Sequence, residues 1–84
     1  MNGIIIRALN KNNDIFYISN TSPITWTGDI NDAKIFSSYS TAKNELEDNF
    51  ISLSATISYT DIISIIISRY ENGEEVGRNI FIWK

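Results

Sequence analysis

The chain contains no cysteine and no histidine in 84 residues. No disulfide can staple it, and neither Cys₂His₂-type zinc sites nor His-based catalytic triads can form. It has one proline and four glycines, and Gly3, Gly28, Gly73 and Gly77 do not fall into a phosphate-binding loop. No apolar run approaches the ~20 residues needed to span a bilayer. The start, Met1-Asn2-Gly3-Ile4-Ile5-Ile6-Arg7, lacks the basic segment, long apolar stretch and cleavage site of a signal peptide. Asn20-Thr21-Ser22 fits the glycosylation pattern, but without a secretion signal it reads as an accidental match. The expectation is one cytoplasmic domain of marginal stability, because so short a chain buries only about 60–65% of its unfolded surface.

Positive charge is also scarce. Seven basic residues face ten acidic ones, for a net charge of −3. The bases Arg7, Lys11, Lys34, Lys43, Arg69, Arg78 and Lys84 are scattered, so no footprint for nucleic-acid phosphates is visible. The acids gather in two places: Glu45, Glu47 and Asp48, and Glu71, Glu74 and Glu75. An acidic chain more plausibly meets a basic protein surface, although charged side chains often do no more than solvate a fold. Nothing marks an enzyme. The serines have no histidine to activate them, and no lysine sits in a run suggesting a desolvated amine. Asp29 and Asp32 are spaced as helix-capping residues rather than as a metal or acid–base pair. No cofactor and no metal site are expected.

What the chain does have is β-forming sequence. Isoleucine occurs seventeen times and asparagine ten, a composition that suggests an AT-rich coding source. Residues 62–70 and 75–83 flank Glu71-Asn72-Gly73-Glu74. Asn-Gly between apolar runs is the strongest short hairpin signal, because a type I′ turn needs φ > 0 at both central residues. With Asn72 and Gly73 as the turn, Glu71 faces Glu74. One face then carries Ile63, Ile65, Ile67, Val76, Ile80 and Ile82. The other carries Ile62, Ile66, Tyr70, Phe81 and Trp83. A hairpin apolar on both faces must bury both, so the second face is a candidate oligomer interface formed by Ile62, Ile66, Tyr70, Phe81 and Trp83.

A first hairpin is expected from residues 3–9 and 15–19, turning at Asn10–Asn13. Asn20 to Pro23 reads as a loop, and Trp26 as a core plug under the helix. Asp29 caps a helical turn over 30–34, after which Ile35 and Phe36 point to the core. Ser37-Ser38 offers a second cap. Tyr39, Ala42, Leu46 and Phe50 recur at helical spacing, giving an amphipathic helix over about 38–49. Its acidic C-terminal half opposes the macrodipole. Ile51 to Tyr59 alternates apolar and polar, which predicts a strand, with a loop containing a helical turn as the alternative. The fold class is α+β: an antiparallel sheet of four to five strands with one helix on one face, in ββαβββ order.

Trp26-Thr27-Gly28-Asp29-Ile30-Asn31-Asp32-Ala33-Lys34-Ile35-Phe36-Ser37-Ser38, ending in Ala42, resembles a pattern in small phage and mobile-element proteins. There a strand pair precedes Trp-Thr, then a turn ending Ala-Lys-x-Phe, then a Ser-capped helix. The likeness covers residues 15–50 and carries no functional residue. Small acidic, cysteine-free α+β chains of this kind are similar to anti-CRISPR and other anti-defence inhibitors. The resemblance implies a stoichiometric phage-encoded inhibitor of a bacterial defence effector; the clustering of the acids makes Glu45, Glu47, Asp48, Glu71, Glu74 and Glu75 the expected contact residues. The alternative is a structural or interaction module, such as a homodimeric phage accessory protein.

Overall fold

The computed structural model describes residues 2–49, 51–55 and 61–82. Strands β1 (Gly3–Asn10), β2 (Ile15–Thr21) and β3 (Ile24–Thr27) precede a 3-10 turn at Ile30–Asp32 and the helix α1 (Tyr39–Asp48). Strands β4 (Ile62–Glu71) and β5 (Glu74–Ile82) follow. The strands form one five-stranded sheet in the order β3-β2-β1-β4-β5, antiparallel throughout. The α+β class and the one-helix layer agree with the sequence reading. The fifth strand does not come from the expected place.

That strand is β3, just after the stretch read as loop; Trp26, read as a core plug, lies in it and packs against the core cluster. The segment expected to be a strand, 51–59, is helical over 51–55, and the rest of it lies outside the described residues. Two contacts explain the helical turn. Ser52 Oγ accepts the backbone N–H of Ile24 at 2.9 Å, and Leu53 is buried in the core at 1% exposure. Of residues 51–55 only Leu53 is buried, while Ile51 is 85% exposed.

The helix is placed as its stripe demands. Ser38 caps it, its Oγ accepting from Thr41 N at 3.1 Å. Ala42 and Leu46 are fully buried and Tyr39 packs on the same cluster; Phe50 lies outside the described residues. Full burial of a side chain such as Leu46 is worth about 1.5–3 kcal/mol. The core beneath the helix is Ile4, Ile6, Ala8, Ile18, Ile65 and Ile67, all even positions of β1 and β2 and odd ones of β4. α1 runs across the strands. Near its start the Arg69 guanidinium of β4 stands 5.6 Å from the Tyr39 ring centre, and near its end Glu45 bonds Thr21 of β2.

One end of the sheet is split. β1 pairs with β2 only from Arg7 to Leu9. Beyond that, Ile4 exchanges two backbone hydrogen bonds with Phe36, at 3.2 and 2.7 Å, and Lys34 N donates to Ile18 O at 2.8 Å. The segment 34–36 therefore lies between the two strands as a wedge. Phe36 fills the core at 3% exposure, whereas Ile35, expected to point inward too, is 53% exposed. Gly3 makes the wedge possible. Its φ is +135°, and a Cβ there would collide with Ile35 Cγ2.

The terminal hairpin turns at Asn72 (φ 53°) and Gly73 (φ 83°), with Glu71 opposite Glu74. A register shift follows at once: Tyr70 pairs with Glu75 but Arg69 with Gly77, leaving Val76 as an extra residue. A second shift lies in β4, where Leu9 pairs with Ser64 and Asn10 with Ile62. This bulge leaves Ile63 half exposed and turns Ile62 into the helix-side core. The simple alternation read from the sequence assumed neither bulge. It therefore put Ile62 on the wrong face and paired Phe81 one residue out of register.

Gly3→Ala should destabilise the fold by roughly 1–3 kcal/mol through positive φ and the clash with Ile35. Gly28→Ala, with open space around it, should stay within about 0.5 kcal/mol. Urea midpoints of the two variants decide this; equal midpoints would remove the wedge argument.

Candidate functional site

The two acidic clusters meet different fates. Glu45 is tied down. Its Oε1 accepts the Thr21 hydroxyl at 2.6 Å and the Lys34 ammonium at 3.0 Å, and Lys34 Nζ also reaches Thr21 Oγ1 at 3.2 Å. Thr21 is 3% exposed. The Thr21 hydrogen bond, helped by Lys34, holds the Glu45 carboxyl below its ordinary pKa against the opposing pull of burial. Asn49 Nδ2 donates to Glu45 O at 2.9 Å and finishes the helix end. The trio joins α1, β2 and the wedge, and Lys34 also sits 5.4 Å from the Phe36 ring centre.

Glu75 is likewise engaged. Arg7 Nη2 reaches it at 2.8 Å from β1, with side-chain exposures of only 17% and 29%. Register places Arg7 opposite Ile66 and Glu75 opposite Tyr70, so the bridge crosses β4 above Ser68. This is the sheet face away from the helix. Ile5 and Ser68 are wholly buried there, and Ile66 and Tyr70 retain 6% and 8% exposure. Burial raises the Tyr70 phenol above its ordinary pKa, with Arg7 opposing. Ser68 Oγ and Arg7 Nε have no hydrogen-bond partner among the described residues.

The remaining acids are free. Glu47 and Asp48 on α1, and Glu71 and Glu74 at the β4–β5 turn, are exposed and make no ion pair among the described residues. The structure brings them to the same end of the molecule. Gly3 pairs with Tyr70, and β2 runs antiparallel to β1, so the β2–β3 and β4–β5 turns share one end of the sheet. The Glu45–Thr21 bond brings the C-terminal half of α1 to that end as well. A shallow recess there is lined by Asn2, Gly3, Arg69, Tyr70, Glu71 and Asn72. Asn2 Oδ1 accepts the Asn72 backbone N–H at 2.7 Å and fixes the turn against β1.

The expected oligomer face fares differently. Ile62 belongs to the helix-side core, and Ile66 and Tyr70 have little area left to bury. Phe81 pairs with Ile65 rather than with Ser64, as unbroken alternation from the turn would have it, and Ile80 pairs with Ile66. Trp83 lies outside the described residues. Sequence reasoning missed Arg7, Thr21 and Lys34 as partners of the acids. Arg7 and Glu75 are 68 positions apart, Thr21 and Glu45 24, and no local spacing signals such pairs.

Asp29 does what capping predicts, its Oδ1 accepting from Asn31 N at 2.9 Å. Among the described residues no three acids stand close enough to hold a metal ion. No described helix is long and apolar enough to cross a membrane. No known protein family, curated protein or solved structure matches the chain.

Because the folded-state pKa of Glu45 is depressed, its contribution to stability is present above the ordinary value of 4.5 and is lost as pH falls through the lower folded value. Thr21→Val should cost about 1 kcal/mol at neutral pH and raise the Glu45 pKa. Carboxyl NMR titration checks the second effect, and an unmoved Glu45 would show that Thr21 does not hold it. Ser68→Ala removes an orphaned hydroxyl and should be neutral or stabilising by up to about 1 kcal/mol. A large loss of stability in a urea melt would mean the hydroxyl has a partner.

Proposed function

We propose that this chain is a non-catalytic, stoichiometric inhibitor that docks on a basic patch of a protein. The reading that suits its size and charge is a phage-encoded, cytoplasmic inhibitor of a bacterial defence effector, of the anti-CRISPR kind. The observation that carries it is the sorting of the acids. Internal bases neutralise Glu45 and Glu75, while Glu47, Asp48, Glu71 and Glu74 stand exposed at one end of the sheet. Unpaired carboxylates held on a helix and a tight turn form a preorganised field for arginine and lysine side chains. Such complementarity speeds encounter, and charge-assisted pairs slow release. At −3 the net charge is modest for a nucleic-acid mimic, which directs the reading to a local protein patch rather than a whole nucleic-acid channel.

A homodimeric interaction module is the second reading, favoured by a sheet that presents a long strand, β5, at one edge. The two readings are compatible, since an inhibitor can act as a dimer.

Reversing Glu47, Asp48, Glu71 and Glu74 to lysine together should leave the fold intact and abolish inhibition in a plaque assay on a defence-carrying host. Reversing Glu45 or Glu75 should instead lower the melting temperature, because each leaves Lys34 or Arg7 without its partner. Unchanged inhibition by the fourfold variant would defeat the charge reading.

A further inference from the structure

We propose that the outer edge of β5 pairs antiparallel with β5 of a second copy of this chain about a two-fold axis. This rests on the second, homodimeric reading and assigns its interface. The pairing would join two five-stranded sheets into one continuous ten-stranded sheet.

The two edges of the sheet are built differently. β3 is four residues long, follows Pro23, and has the N–H of Ile24 occupied by Ser52. A short strand with a proline at its start and a side chain on its backbone is a blunted edge. β5 is nine residues long and contains no proline. β4 pairs with it on one side, and β5 closes the strand order of the sheet on the other. A bare strand edge is a row of unmet donors and acceptors, and its natural complement is another strand.

Within β5 the charged residues, Glu74, Glu75 and Arg78, and the extra residue Val76 lie in the first five positions, toward the turn. Val76 breaks the ladder there. From Gly77 onward the pairing with β4 is regular; Arg78 is charged, and Asn79-Ile80-Phe81-Ile82 after it carries no charge. Two identical uncharged segments can lie antiparallel without opposing like charges, while the glutamates of each copy are carried away from the axis. This points to a second copy rather than a foreign strand.

Symmetry then limits the assembly to two. A β5–β5 contact is isologous and uses up both long edges. What remains outside is β3 of each copy, which is blunted, so the sheet does not grow further. The face away from the helix is a poorer interface, since Ile5, Ile66 and Tyr70 are already buried within one chain.

The test is native mass spectrometry of the full chain across the micromolar range, with hydrogen exchange at the lowest and highest concentrations. The expected result is a mass of two chains and exchange over residues 77–82 that slows as concentration rises. The double variant Asn79→Lys, Ile82→Lys should lose the dimer and keep its circular dichroism. A monomer at every concentration would overturn both this interface and the dimer reading. A dimer whose β5 exchange ignores concentration would overturn the interface alone. So would a dimer that survives in the folded double variant. Should the variant not fold, the exchange of the unaltered chain decides.

Discussion

The insertion of residues 34–36 between β1 and β2 is the constraint on which the rest of this structure depends. Strands β1 and β2 begin as a hairpin, yet they separate after three paired positions. Separation exposes backbone groups on Ile4 and Ile18, and buried polar backbone must be satisfied. Phe36 and Lys34 supply the partners. That choice sets the start of α1, because Ser38 follows at once. It sets the position of Lys34, whose side chain then lies within reach of Glu45 and Thr21. It also requires a residue without Cβ at position 3. Helix placement, acid pairing and glycine usage thus trace to one local opening of the sheet.

The acids can be understood from the same arrangement. Exposed ion pairs contribute little, typically about 0–1 kcal/mol, and Lys11–Asp61 is of that sort, with both side chains more than half exposed. Arg7–Glu75 and Lys34–Glu45 are less exposed; the first spans 68 positions, and the second is tied to β2 through Thr21, 24 positions from Glu45. They serve the fold by linking strands and helix. The acids they leave over are available for something else, and it is this division, rather than the net charge, that favours a basic partner.

Much of the architecture could be read from the chain because its local signals agree with one another. Asn72-Gly73 gives the terminal turn, Ser38 the cap, and Tyr39, Ala42 and Leu46 the buried stripe. The failures come from interactions with no local signature. Alternation at 51–55 satisfied a strand template equally well, and the contact of Ser52 with Ile24 and the burial of Leu53 decide for a helical turn. Two bulges, at Ile63 and Val76, shift register by one residue and so exchange faces. Pattern reading cannot see a bulge, and the hydrophobic face it assigned was therefore only partly right. Of the candidate site, the acids themselves were legible. Which of them are spent internally was not, because that depends on Arg7, Thr21 and Lys34 arriving from elsewhere in the chain.

The central position of β1 has a consequence for biosynthesis. Its long partner is β4, and Ile62 follows Gly3 by 59 positions. At about 5–20 residues per second, β1 emerges from the ribosome several seconds before the strand that covers its second edge. During that interval Ile4, Ile5 and Ile6 have the wedge and α1 for company but not β4, and the sheet cannot close. The sheet of the nascent chain is thus completed only after β4 has emerged, and until then the second edge of its isoleucine-rich first strand stands open.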